Sequence, residues 1–368
     1  MPRSEEAQEL RALCIYAGPA ARRRIERQGL QAADVGAIPG AAGGPKGLIL
    51  GPLDRFIFGD WLEQSTQAVH LVGASIGAWR MASACLTDPV AAFLKLEHDY
   101  VRQHYELKPG ERRPSAATVS ALFGENLRVF YDGRIDEVLT HRRYRLHIVT
   151  AHGRGLLRRE HRWRTPVGFL GAWLSNLVQR RSMGAWLERV VFSTPGSELP
   201  FDSSDYPTRQ LRLTPGNFSA ALQASCSIPF VLQAVHDIAE APPGAYWDGG
   251  LTDYHLHLNY AAGPVTEGIV LYPHFQKAVV PGWLDKHFKW RHGASPFLDN
   301  MVVLAPNPEW VCALPNGKLP DRTDFARYGQ DLAARVRDWS AAVAASAQLA
   351  EEFHGWLRQP DMSLVQAL

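Results

Sequence analysis

Ser75 stands in Gly73-Ala74-Ser75-Ile76-Gly77, a Gly-x-Ser-x-Gly arrangement. In such a pattern the two glycines remove side chains where a strand and a helix would collide, so the serine sits strained and exposed at the turn. Its hydroxyl then lies at a helix N-terminus, where developing negative charge is favoured. A second stretch, Gly40-Ala41-Ala42-Gly43-Gly44-Pro45-Lys46-Gly47, offers backbone N–H groups of Gly43 and Gly44 to an oxyanion, and glycine suits that task because a side chain would block a substrate carbonyl. A third, Asp248-Gly249-Gly250, puts a carboxylate at the end of an aromatic run. Each stretch also has a purely structural reading: a tight turn, a flexible loop with a helix cap, and an Asp-Gly hairpin turn.

The elements that position these residues follow from pattern. Val69, Leu71 and Val72 make an apolar, β-favouring run before the serine, and Ile76, Trp79, Ala82 and Ala84 recur with helical spacing after it. The glycine-rich loop likewise follows Val35–Ile38 and precedes Leu48, Ile49, Leu53, Phe56, Ile57 and Trp61, giving strand, loop and helix. A Walker A loop is excluded because Lys46 is followed by Gly47, and the spacing fails the G-x-G-x-x-G dinucleotide fingerprint. Further strands are expected at Cys14–Tyr16, Leu146–Ala151, Val190–Phe192, Leu211–Leu213 and Met301–Leu304, with a small-residue helix before Ile228-Pro229-Phe230. This alternation predicts a mainly parallel sheet covered by helices on both faces.

Composition narrows the class. The chain has 368 residues, 46% hydrophobic, and a formal net charge of +2, which argues against a strongly basic nucleic-acid protein. Its four cysteines lie far apart with no C-x-x-C pair, fitting a reduced cytoplasmic chain without a structural zinc. The start of the chain is too polar for a secretory signal, and no apolar run reaches the roughly 18 residues of a membrane span. Lys108–Pro114 is a Pro- and charge-rich break. Val167, Leu170, Trp173, Leu174, Leu177 and Val178 form a helical apolar stripe flanked by Arg158, Arg159, Arg162, Arg164, Arg180 and Arg181. That stripe suits either packing on the core, the commoner use, or peripheral membrane contact across 158–181.

Taken in order, the glycine-rich loop, the Gly-x-Ser-x-Gly turn and Asp248-Gly249-Gly250 resemble the patatin-like phospholipase family, serine acyl hydrolases with a G-G-x-[RK]-G loop, a G-x-S-x-G elbow and a D-G-[GA] turn. Ala224-Ser225-Cys226-Ser227-Ile228-Pro229-Phe230 resembles the small-residue segment that this family places before its aspartate. The resemblance spans roughly Val35 to Tyr272. It implies a three-layer α/β/α fold and a lipid or acyl-ester substrate. Ser75 is then the nucleophile, Asp248 its only partner in a dyad, Gly43 and Gly44 with Lys46 nearby the oxyanion loop, and Gly47, Gly73, Gly77, Gly249 and Gly250 the supporting glycines. Ala41-Ala42 stands where the family usually has Asp-Gly, Pro45 brings no N–H, and Leu251-Thr252 follows where an asparagine-proline pair is common. No metal or other cofactor is expected.

A buried aspartate has a pKa above its ordinary value of about 3.9, which suits it to take the proton of a serine. An α/β-hydrolase would instead use a triad, with His255, His257 or His274 following Asp248. His255 and His257, two apart, would fall on one face if their segment were a strand, which would suit a metal, though no third ligand stands nearby. A lipid-binding or scaffolding protein that has lost turnover is the alternative from another class; acyltransferase and thioesterase share the acyl-enzyme with the hydrolase. Residues 1–275 are read as the hydrolase domain and 276–368 as a largely helical C-terminal extension, with one long helical stretch over Asp324–Leu357 packed as a cover.

Overall fold

The computed structural model describes residues 10–107 and 113–368. The polar start of the chain and most of the Lys108–Pro114 break lie outside them. Eleven strands are present among these residues: β1 (Leu13–Ala17), β2 (Val35–Gly40), β3 (Val69–Ala74), β4 (Tyr144–Gly153), β5 (Leu187–Ser193), β6 (Thr208–Arg212), β7 (Val235–His236), β8 (Ala245–Asp248), β9 (Ile269–Pro273), β10 (Met301–Pro306) and β11 (Val365–Ala367). They form one sheet in the order β11-β1-β10-β9-β2-β3-β4-β5-β6, with β8 also pairing β4 and β7 pairing β8. Helices flank it, giving the three-layer α/β/α arrangement.

The sheet is mixed rather than purely parallel. The central run β10, β9, β2, β3, β4 is parallel throughout, while β1–β10, β4–β5, β4–β8 and β7–β8 are antiparallel. Every residue of β2, β5, β8, β9 and β10 is buried, as near-continuous apolar strands covered on both faces must be.

The C-terminal segment does more than cover the sheet. β10 inserts between β1 and β9, and β11 pairs β1, so residues 276–368 complete the sheet begun by residues 13–273. The helical stretch over Asp324–Leu357 is three helices, Thr323–Tyr328, Leu332–Ala345 and Ala347–Arg358. The first ends at Gly329 with φ 55°, a left-handed stop. The second ends at Ser346, whose buried hydroxyl turns back to the Val343 carbonyl at 2.7 Å.

Beneath the serine turn, the helix Ile76–Ala84 is tied to the helix Gly51–Phe56 by a buried fork: Arg80 Nε and Nη2 each donate to Asp54 at 2.7 Å. One helix follows the glycine-rich loop and the other the serine turn, so this pair fixes the two relative to one another. Asp54→Ala is expected to cost about 3–5 kcal/mol, because it leaves the Arg80 guanidinium buried without a counter-charge. Urea denaturation of the purified variant measures this.

Candidate active site

β3 runs into Ser75 and the helix Ile76–Ala84 begins directly after it. Ser75 has φ 56° and ψ −131°, backbone angles that non-glycine residues rarely adopt. The turn is tight because Gly77 lies against the glycine-rich loop. A Cβ on Gly77 would meet the Gly40 carbonyl oxygen at 1.8 Å, so no side chain fits there. The strained angles turn the serine side chain towards a cavity, but Ser75 is only 3% exposed, buried rather than exposed as the turn pattern predicts. Its backbone N–H donates to Ser225 Oγ at 3.0 Å, and Ser225 Oγ in turn donates to the Val149 carbonyl at 2.7 Å. Ser225 therefore braces the turn from the helix Phe218–Ser225.

Sheet register brings the second residue to the first. Ala74 of β3 pairs Val149 of β4, and the next β4 residue, Thr150, pairs Asp248 at the end of β8. Ser75 Oγ donates to Asp248 Oδ2 at 2.7 Å across a sequence separation of 173 residues. The other carboxylate oxygen, Oδ1, accepts the Gly250 N–H at 2.7 Å, and the Asp248 N–H donates to the Ser227 carbonyl at 3.0 Å. Gly249 and Gly250 thus form the turn that holds the carboxylate. Burial pushes the Asp248 carboxyl up from its ordinary value, against the opposing pull of the Ser75 hydroxyl, Arg322, the Gly250 N–H and Lys286. A carboxylate kept short of solvation is a better proton acceptor.

The glycine-rich loop leaves β2 beside this pair. Ala42 donates its N–H to the Tyr254 carbonyl at 2.9 Å, whereas among the described residues the N–H groups of Gly43 and Gly44 meet no acceptor. Gly44, at φ 59°, opens onto the same cavity as Ser75, and Phe275 packs its ring against Gly43. Gly44 brings an amide donor without a partner to the cavity that holds Ser75, which is where an oxyanion needs one. Lys46 lies with its ammonium 5.4 Å from the Phe275 ring centre, and Gly47 sits over Ile76. Gly73, next to last in β3, lies directly below the first turn of the helix.

Two cavities flank the dyad. One, of about 70 Å³, is lined by Ser75, Gly44, Trp79, Tyr100, Phe123 and Leu232. The other, of about 10 Å³, is lined by Asp248, Gly250, Tyr254, Trp283 and Arg322. Ile228 belongs to both.

The histidines lie elsewhere. His255 is buried with Nδ1 between the Ala278 carbonyl and the Val280 N–H at 3.1 Å each, and burial holds it well below its usual pKa. His257 uses both ring nitrogens, on the Val279 carbonyl at 2.8 Å and Ser295 Oγ at 2.7 Å. His274 is bonded to the Gln276 carbonyl. Among the described residues no histidine bonds to Ser75 or Asp248, and no three His, Cys, Asp or Glu side chains converge.

No family model matches the chain, and no curated protein matches it. Its chemistry must be argued from its own site.

Sequence reasoning missed three participants. Ser225 lay inside a flagged block, but its bracing role depends on the Val149 carbonyl, which only the sheet supplies. Lys286 and Arg322 are single cations in the C-terminal segment with no motif around them, yet both influence Asp248. A further difference concerns the apolar stripe. Thr165, Gly168, Phe169, Ala172 and Asn176 form the buried face of the helix Arg164–Val178, while Val167 and Leu170 are each 56% exposed, Val178 is 85% exposed, and Leu174 and Leu177 also face solvent. Five of the six stripe residues therefore face outward, against the core-packed reading, while Trp173 is half-buried with its ring centre 6.3 Å from that of Phe288. Arg180 is not one of its free basic flanks, because it pairs with Asp253 at 3.2 Å and Asp205 at 3.5 Å. No helix among the described residues is long and apolar enough to cross a membrane.

Proposed function

We propose that the protein is a serine acyl hydrolase of the patatin-like kind, cleaving carboxylic esters of lipids through a Ser75–Asp248 dyad. The observation that carries the reading is the 2.7 Å hydrogen bond from a strained serine to a buried carboxylate. The unpartnered Gly43 and Gly44 amides beside it support it. The direct contact favours a dyad over a triad, since no histidine stands between or behind the two residues.

The steps follow from these positions. Ser75 Oγ attacks the ester carbonyl carbon as its proton passes to Asp248 Oδ2, and the carbonyl π electrons move onto oxygen, held by the Gly43 and Gly44 N–H groups. Collapse of the tetrahedral species breaks the bond to the alcohol oxygen, which leaves with the proton from Asp248. A water then gives a proton to Asp248 as its oxygen attacks the acyl-Ser75 carbonyl. The second collapse frees the carboxylic acid, and Ser75 recovers its proton. The acyl chain fits the cavity beside Trp79 and Phe123, on the Ser75 side. Hydrolysis of p-nitrophenyl esters over a range of acyl lengths tests the reading: turnover of the wild type supports it, and no turnover of any ester turns the choice to a binding protein of this fold.

The outward-facing apolar helix gives the substrate an approach. Phe230, 61% exposed, lies 5.9 Å from Phe169 of that helix, and Ile228, two residues before it, lines both cavities. This apolar surface, with exposed Arg158, Arg162 and Arg164 alongside and Arg159 paired to Asp237 at 2.5 Å, is the face offered to an anionic lipid surface. Val167→Ser combined with Leu170→Ser and Val178→Ser is expected to weaken binding to phosphatidylglycerol vesicles by at least about tenfold, since each buried side chain contributes on the order of 1.5 kcal/mol. Unchanged co-sedimentation with vesicles would remove the membrane face.

A further inference from the structure

The glycine-rich loop meets the cavity that holds Ser75 at Gly44, and Pro45 directly after it has no N–H to offer. An oxyanion hole combines several donors, side-chain hydroxyls among them. One such hydroxyl stands beside Gly44. Tyr100 lines the same cavity as Ser75 and Gly44, and its oxygen lies 3.6 Å from where a Cβ on Gly44 would stand. Among the described residues that hydroxyl has no hydrogen-bond partner. Burial pushes the phenol up from its ordinary value, against the pull of Arg322 and aided by Tyr105, Cys226 and Asp248, so it keeps its proton and stays a donor.

The fold holds this side chain from three sides. Tyr100 stands on the last turn of the helix Pro89–Arg102. One turn earlier, Glu97 accepts from Arg55 Nη1 at 2.9 Å, and Arg55 belongs to the helix Gly51–Phe56 that follows the glycine-rich loop. The Tyr100 ring centre lies 6.3 Å from that of Trp79, in the helix that follows Ser75. Buried Arg335 donates to the carbonyl of Gln103, where the helix ends. Packing alone does not account for the oxygen: a phenylalanine would fill the wall as well and leave no hydroxyl short of a partner.

We propose that Tyr100 is a catalytic hydrogen-bond donor, its hydroxyl completing the oxyanion hole together with the Gly44 N–H. The proposal rests on the serine-esterase reading. As Ser75 Oγ bonds to the ester carbonyl carbon, the π electrons move onto the carbonyl oxygen, which accepts from the Gly44 N–H and the Tyr100 O–H. The phenol proton stays on Tyr100, and both bonds relax when the tetrahedral species collapses. Arg322 is the rival donor, since its Nε lies 3.2 Å from the same point beside Gly44, but its guanidinium lines the smaller cavity with Asp248.

Tyr100→Phe tests this, because it removes one oxygen and keeps the ring. With p-nitrophenyl butyrate the variant is expected to lose about 10²-fold in kcat, with KM within about twofold of the wild type. Affinity for a trifluoromethyl ketone, which adds to Ser75 and places an oxyanion in the same position, is expected to fall by about the same factor. The melting temperature is expected to stay unchanged, as the hydroxyl has no protein partner to lose. A wild type that turns over the ester while Tyr100→Phe keeps its kcat within about threefold would overturn the role and leave Arg322 and the amides as the donors. A raised KM at constant kcat would reduce Tyr100 to a wall of the cavity and overturn it too. So would a loss of kcat without the matching loss of ketone affinity, the mark of a structural residue. A wild type that neither hydrolyses the ester nor binds the ketone would instead contradict the esterase reading, and Tyr100 as a donor with it.

Discussion

Ser75→Ala is expected to reduce ester turnover by at least about 10⁴-fold while leaving the fold intact, with residual rate supplied by the oxyanion loop and substrate binding alone. The expectation follows from how many features converge on one atom. The backbone at Ser75 is strained at φ 56°, its N–H is braced by Ser225, and its Oγ donates to Asp248. Alanine keeps the N–H bond and meets the same strain, so the variant removes the hydroxyl and little else. A structural serine would give a different result: loss of one buried hydrogen bond shifts stability by about 1 kcal/mol and does nothing selective to turnover. Circular dichroism and p-nitrophenyl ester kinetics on the same preparation separate the two.

Asp248→Asn carries the second large effect. The amide preserves the size of the side chain and can keep only one of the two bonds it accepts, since its NH2 occupies the other position as a donor, and it takes up no proton, so turnover is expected to fall by about 10³- to 10⁴-fold. The wild-type pH profile follows from the same burial. Asp248 works as a base only when ionised, and its carboxyl lies above the ordinary carboxylate value. The kcat/KM therefore rises with pH through that elevated value and levels off above it, and the profile of the Asn variant lacks this limb. The stability effect has the opposite sign. A carboxyl with a folded-state pKa above the unfolded one binds its proton more tightly in the native chain, so its contribution is fully present in acid and is lost as pH rises through the folded value. Asp248→Asn removes that loss, and its melting temperature is expected to exceed that of the wild type at pH 7, with the gap closing in acid. An equal or lower melting temperature at pH 7 would argue that the carboxylate is not desolvated.

The serine turn was readable because Gly73 and Gly77 sit between a β-favouring run and a helical one, and both signals are local. The aspartate was readable as a motif. Its contact with Ser75 was not, because it depends on β4 pairing β3 on one side and β8 on the other, and pairing partners 75 (Ala74 and Val149) and 98 (Thr150 and Asp248) residues apart leave no trace in local periodicity. The stripe from Val167 to Val178 shows the limit of periodicity from the other direction: spacing identifies an apolar face but not whether anything covers it. Here Gly168 and Ala172, the small residues opposite, are what pack. The same holds for the C-terminal segment. Met301–Leu304 reads as a strand, but its place between β1 and β9 is a property of the whole sheet. Arg322 and Lys286 reach the site only because that segment folds back over it.

The central claim is that Ser75 is a nucleophile activated by Asp248 alone. Its most direct test is intact-protein and peptide mass spectrometry after incubation with a fluorophosphonate. A single adduct on Ser75 is expected in the wild type, none in Ser75→Ala, a much slower one in Asp248→Asn, and an unchanged rate in His257→Gln. No adduct in the wild type, an adduct on another residue, or labelling of Ser75 at full rate in Asp248→Asn would contradict it.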